Sequence, residues 1–134
     1  MKFGVFDHMD RAGPELGRQF EDRLKLIELY ERSGFHAYHL AEHHATPLGM
    51  APSPSVFLAA VAQRTTTLRF GPLVYTLNLY HPLRLIDEIC MLDQMSGGHW
   101  NSASAAASRP TRSGTTASMP RPARSDSPRC CRSS

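Results

Sequence analysis

The sequence predicts an α/β protein made of successive parallel strand–helix–strand units. Three observations predict it. Short apolar or β-branched runs alternate three times with segments of helical periodicity. The links between them are short. Glycine and proline stand where helix ends and turns call for them. With 134 residues, 41% hydrophobic, 8% aromatic and 20% charged, the chain is about one soluble globular domain in size.

The elements follow in order. Residues 2–6 are apolar and β-compatible, a first strand. Residues 15–33 set Leu24, Leu26, Ile27 and Tyr30 near i, i+3, i+4 spacing, an amphipathic helix. Gly34 then takes the position of a left-handed C-terminal cap. Residues 35–40 form a second strand that runs into Ala41-Glu42-His43-His44. Ser53-Pro54 offers a capping hydroxyl ahead of a first-turn proline, and residues 56–63 make the second helix. Residues 67–75 read as a third strand, interrupted at Gly71-Pro72. His81-Pro82 starts a third helix with Leu85, Ile86, Ile89, Cys90 and Leu92 as its buried stripe, and Ser96-Gly97-Gly98 ends it. Parallel strands need both faces covered and neighbours to complete the sheet. A closed (β/α)8 barrel takes about 250 residues, so the pattern is that of the opening of a larger fold.

The chain divides at about residue 98. Beyond Trp100 there is no Leu, Ile, Val, Phe, Tyr or Trp. Residues 1–100 carry nine Lys and Arg against eleven Asp and Glu, while residues 101–134 carry six Arg against a single Asp. The net charge of +3 therefore belongs to the end of the chain. A Ser/Ala/Arg/Pro segment without large apolar side chains cannot offset its ordering entropy, so residues 99–134 are expected to be a disordered basic tail. Its arginines are scattered and no aromatic platform lies between them, which argues against nucleic-acid binding. No apolar run reaches the roughly 18 residues that span a bilayer, and the N-terminus lacks the apolar core of a secretory signal. Three cysteines, Cys90, Cys130 and Cys131, are too few and too oddly placed for a disulfide framework, and Cys130-Cys131 reads as accidental. A reducing cytoplasm is the expected compartment.

If each strand ends in a working loop, Asp7-His8, Glu42-His43-His44 and residues 75–80 face one mouth. The histidines also invite a metal reading. Alternation puts His36 and His44 on the face of Tyr38 and Glu42, with His39 and His43 opposite. That splits the ligands, and neither Cys-x-x-Cys nor His-Glu-x-x-His spacing is present. No metal site is expected. Leu73, Val74 and Leu77 have an ordinary alternative reading as core residues, and His43 and His44 as polar loop residues.

Met1-Lys2-Phe3-Gly4, the segment from Gly34-Phe35 to Ala41-Glu42-His43-His44, and the segment from His81-Pro82 to Asp93-Gln94-Met95-Ser96-Gly97-Gly98 together resemble the bacterial luciferase-like flavin-dependent monooxygenases, over about residues 1–98. The resemblance implies the first three βα units of a TIM (β/α)8 barrel, incomplete, followed by the tail. It also implies an oxidoreductase that uses reduced FMN and O2 on a small organic substrate, with a deazaflavin-dependent relative as the alternative. A flavin reductase and a homo-oligomeric full-length form belong to the same implication. By resemblance, His43 matches the active-site histidine beside the flavin, an acid/base candidate because imidazole titrates near neutrality. Glu42 matches a position on the flavin phosphate side. Leu73 and Val74 match the backbone lining the isoalloxazine ring, where the family often holds a non-proline cis peptide.

The family pattern continues after Ser-Gly-Gly with a fourth strand and a glycine-rich turn carrying a phosphate-binding arginine. This chain instead reads His99-Trp100-Asn101-Ser102-Ala103-Ser104. Read one base earlier than the Trp codon, the code forces leucine and then glutamate. With TCN serine codons it goes on to permit L-G-V-G-R-G-I-S-P-Y-E. Residues from about His99 are therefore read as an out-of-frame translation. Without the turn and its arginine, the chain as written is expected to be unstable or aggregating, to hold flavin weakly and to lack activity. The non-enzymatic alternative is a short βα protein with a basic tail.

Overall fold

A computed structural model of the chain describes residues 1–13 and 15–101. Three parallel strands, β1 (Gly4–Asp7), β2 (Ala37–Leu40) and β3 (Arg69–Pro72), form one sheet in that order. Each is followed by a helix: α1 (Leu16–Arg32), α2 (Pro54–Arg64) and α3 (Pro82–Met95). Gly4 pairs with Ala37 and Asp7 with Leu40, and the ladder continues from Ala37 to Arg69 and from Leu40 to Pro72. The βαβ architecture expected from the sequence is the one observed.

Pairing also reaches past residue 98. The Phe70 N–H donates to the His99 carbonyl, and the Asn101 N–H donates to Phe70. Trp100 thereby forms a parallel bridge to Phe70, where a fourth strand would begin. The expected disordered tail and Cys130-Cys131 lie outside the described residues.

Gly71-Pro72 does not interrupt the third strand but closes it. The N–H groups of Arg69 and Leu73 point to β2, while that of Phe70 points to the outer edge. By that alternation the missing N–H of Pro72 falls on the outer edge, where a ladder tolerates it. Two helices end as the glycines foretold. At the end of α1 the Gly34 N–H donates to Glu31 and the Phe35 N–H to Tyr30, with Gly34 at φ +80°. The Tyr30 and Phe35 rings lie 5.2 Å apart across the same turn, completing a Schellman cap. Gly97 and Gly98 repeat the two hydrogen bonds after α3. The start of α2 differs from expectation. Ser53 occupies the cap position with Pro54 behind it, but its hydroxyl makes no capping bond.

The core lies between the sheet and the first two helices: Met9, Leu24, Ile27, Tyr38, Leu40, Phe57, Leu58, Val61, Leu68 and Phe70. Of the stripe predicted for α3 only Leu85 and Leu92 are buried, whereas Ile86 is 55% exposed. Helix α3 packs on α2 and has no helix on its other flank among the described residues, so part of its apolar face meets solvent. Glu31 fastens α1 to the turn before β3 by accepting from the N–H groups of Thr66, Thr67 and Leu68 and from the Thr67 hydroxyl. No helix among the described residues is long and apolar enough to cross a membrane.

Candidate functional site

The parallel order brings the carboxyl ends of all three strands to one end of the sheet, and the loops that follow them carry the polar side chains. Two of these loops are stapled together. The Met50 N–H donates to the Met9 carbonyl at 2.8 Å, and the Arg11 N–H to Pro47 at 3.4 Å. Met9 is fully buried in a left-handed conformation at φ 51°, and its N–H donates to Asp7 Oδ1 at 2.8 Å.

Asp7 is therefore a closed structural group. Its other oxygen accepts from the Tyr38 hydroxyl at 2.7 Å and lies 3.3 Å from Arg23 Nε. Burial, and then the Asp7 charge, push the Tyr38 hydroxyl far above the ordinary tyrosine range.

Glu42 has no exposed side-chain surface. One carboxylate oxygen lies 2.7 Å from His44 Nε2, and the other accepts the Thr76 N–H at 2.9 Å. Burial foremost, and then the Glu42 charge, raise the Tyr80 hydroxyl above the ordinary tyrosine range. Glu42 thus ties the loop after β3 to the loop after β2. Both oxygens are engaged, so what it offers is the placement of that loop.

His43 is half-buried and points the other way, as alternation requires. Its Nε2 lies 3.2 Å from His8 Nδ1. Gly49, at φ +82°, packs directly on it: a Cβ there would lie 2.9 Å from the His43 Cβ and 3.2 Å from its Cδ2. Only glycine allows that approach. Leu73 and Val74 are half-buried at the end of β3 rather than core, Leu77 is 40% exposed, and the Leu73–Val74 peptide bond is cis. The Leu73 N–H is held by the Leu40 carbonyl at 2.8 Å. Behind this peptide Tyr75, 2% exposed, bonds to Ser55 at 2.9 Å, and burial foremost moves its hydroxyl up to about 12.

The residues singled out in the sequence thus divide. His43 and the Leu73–Val74 peptide present surface at one end of the sheet, while Glu42 braces from behind. Thr76 and Tyr80 lie within the segment 75–80 expected at the mouth, whereas Gly49 was not singled out and had only its place after Pro47-Leu48 to mark it. Among the described residues no group of three or more His, Cys, Asp or Glu converges as a metal site. A cleft of about 570 Å³ beside α1, bordered by Ala12, Gln19, Arg23 and Leu26, includes none of the predicted site residues.

The profile of one protein family, described as luciferase-like monooxygenase, matches residues 1–99. The chain belongs to this family. It is 59% identical over 98 residues to the uncharacterized protein y4wF of Sinorhizobium fredii, covering 73% of this chain and 29% of that protein. It is 31% identical over 100 residues to the oxygenase component of the flavin-dependent trigonelline monooxygenase of Acinetobacter baylyi, covering 73% and 28%. Among solved structures, the oxygenating constituent of 3,6-diketocamphane monooxygenase from Pseudomonas putida, in complex with FMN, superposes with a TM-score of 0.74 at 25% identity. That match covers 82% of this chain and 30% of the other. The chain spans under a third of the length of these family members, and its three βα units correspond to part of their TIM barrel.

Proposed function

We propose that this chain carries the flavin-ring side of an active site that oxidises a small organic substrate with reduced FMN and O2. The observation that carries this reading is the placement of the His43 imidazole and of half-buried Leu73 and Val74 in the segments that follow β2 and β3, at the carboxyl ends of three parallel strands. A flat apolar ring system needs such a surface, with a polar group at its edge to orient it. Reduced FMN, when bound, supplies the electrons for activating O2. The protein's own part is to seat the ring on Leu73 and Val74 and to hold a proton donor or acceptor at His43. The buried Glu42 keeps the loop after β3 in place through the Thr76 N–H.

The ring side fits; the phosphate side does not. After Gly98 the sequence holds a single glycine, Gly114, so a glycine-rich turn with its row of N–H donors is missing. Trp100 bridges Phe70 where the fourth strand would start, and a one-base shift turns that point into Leu-Glu. Both support reading residues from His99 onward as an out-of-frame replacement for the fourth strand and its turn. The chain as written then binds flavin weakly and turns nothing over.

Flavin absorbance after purification without added cofactor tests this directly. A small fraction of an equivalent is expected, and one equivalent of FMN on the 134-residue chain overturns the reading. Re-reading the coding DNA one base out of frame should reveal a continuing barrel sequence. In the frame-restored enzyme, supplied with flavin reductase, His43→Gln is expected to lower kcat far more than it weakens FMN binding. Turnover with a reduced deazaflavin in place of FMN would replace the cofactor and keep the site.

A further inference from the structure

We propose that His8 and His43 form a single proton-sharing pair, in which His8 is the positioning residue that fixes the tautomer of His43. Two distances define the arrangement. His8 Nδ1 and His43 Nε2 are 3.2 Å apart, while the ring centres are 5.5 Å apart with the planes only 14° from parallel. The larger separation exceeds the smaller by the two centre-to-nitrogen radii of the rings. The two centres and two nitrogens therefore lie on one line, and the rings meet edge to edge in a common plane rather than face to face.

In that geometry each nitrogen's in-plane bonding direction runs straight at the other. A metal ion would need the two lone pairs to converge on a third point, which they do not. Two facing N–H groups repel, and two facing lone pairs make no bond, so the nitrogens carry one proton between them. Which ring nitrogen is protonated is set by the bond the other one makes. An isolated neutral histidine side chain favours the Nε2–H tautomer, and both rings can keep it together if His43 Nε2–H donates to His8 Nδ1. The arrangement leaves His43 Nδ1 as the proton acceptor of the pair and His8 Nε2–H as its exposed donor.

The surroundings hold both rings in place. Gly49 backs the His43 ring. Phe6 meets His8 edge-on with centres 4.7 Å apart. The Met9–Met50 backbone bond joins the two loops that carry the pair. A proton taken up at His43 Nδ1 can thus be passed through the shared bond and released at His8 Nε2, so one ring accepts while the other returns to solvent. The inference deepens the function proposed above, because it gives the His43 imidazole a partner.

The test is nitrogen-15 spectroscopy of the full 134-residue chain, labelled at histidine and free of flavin. A coupling between His8 Nδ1 and His43 Nε2 across the shared proton is expected, with His43 held as its Nε2–H tautomer. In His8→Phe the His43 ring is expected to become a mixture of tautomers with faster N–H exchange. Gly49→Ala, which leaves both imidazoles in the chain, should abolish the coupling by displacing His43. Absence of the coupling in the parent chain overturns the pair, and so does an unchanged His43 tautomer and exchange rate in His8→Phe. Because these readouts need no flavin, a failed flavin experiment with the coupling intact sinks the function and leaves the pair.

Discussion

Helices α2 and α3 begin alike, each with proline in its first turn, yet they end in different environments. Along α2, Pro54, Ser55, Phe57, Leu58, Val61 and Ala62 are buried. Along α3 only Leu85 and Leu92 are, while Leu83, Ile86 and Met91 are each more than half exposed. The reason is position rather than composition. Helix α2 packs against α1, α3 and β3, whereas α2 is the main helical neighbour of α3 among the described residues. A helix in a βα array buries an apolar stripe as wide as its neighbours allow, and the described residues cover less of the apolar face of α3 than of α2. The sheet agrees: among the described residues β2 is paired on both edges, while β3 takes its second partner only at the Trp100 bridge.

Four experiments sharpen or break this contrast. The largest effect is expected on the α2 side. Leu58 is fully buried, and Leu58→Ala should cost about 2–5 kcal/mol, read as a lower urea midpoint. A loss below about 1 kcal/mol would mean that α2 is no better anchored than an edge helix.

Gly49→Ala comes next. A left-handed backbone at a non-glycine residue costs about 1–3 kcal/mol, and the added methyl must also displace His43. Destabilisation of that size with a shifted His43 resonance is expected. An unchanged His43 resonance would break the claim that the loop after β2 is held by close packing.

Glu31→Gln tests the clasp between α1 and β3 through pH. Burial opposes ionisation of Glu31, but the hydrogen bonds from Thr67, Leu68 and Thr66 outweigh it and hold its carboxyl below the ordinary glutamate range. A group whose folded value is depressed adds stability above its unfolded value and loses it as pH falls through the folded one. Stability of the parent chain should therefore drop as pH is lowered below about 4.5, with a shallower drop in Glu31→Gln. Parallel curves would remove Glu31 from the account.

The smallest effect belongs to α3. Ile86→Ala should change stability by no more than about 0.5 kcal/mol, while Ile86→Lys should raise the soluble yield by breaking an exposed apolar patch. A loss comparable to that of Leu58→Ala would show that α3 is covered in solution.

The local grammar of the chain was legible in advance. Gly34 and Gly97-Gly98 announced their helix caps, alternation around Glu42, His43 and His44 put neighbours on opposite sides, and the third helix began at Pro82 as read. Other features were not. The Ser53 hydroxyl does not cap, because the turn is closed from the backbone, where the Val56 N–H donates to Ser53. Ile86 reads as buried from its spacing, since periodicity reports which face is apolar and not whether a neighbour covers it. Asp7, at a strand end, reads as a mouth residue but is consumed by Tyr38, Arg23 and the Met9 N–H.

By itself the sequence determined the order and type of the elements, the end of the sheet at which polar residues gather, and the family to which they belong. These depend on periodicity, caps and motifs within about twenty residues of one another. Only the tertiary structure decided that His8 meets His43, that Glu42 braces Thr76, and that Gly49 has no room for a side chain. Those contacts join loops from different strands, and a strand's parallel neighbour is set by packing across the sheet, which no local pattern encodes.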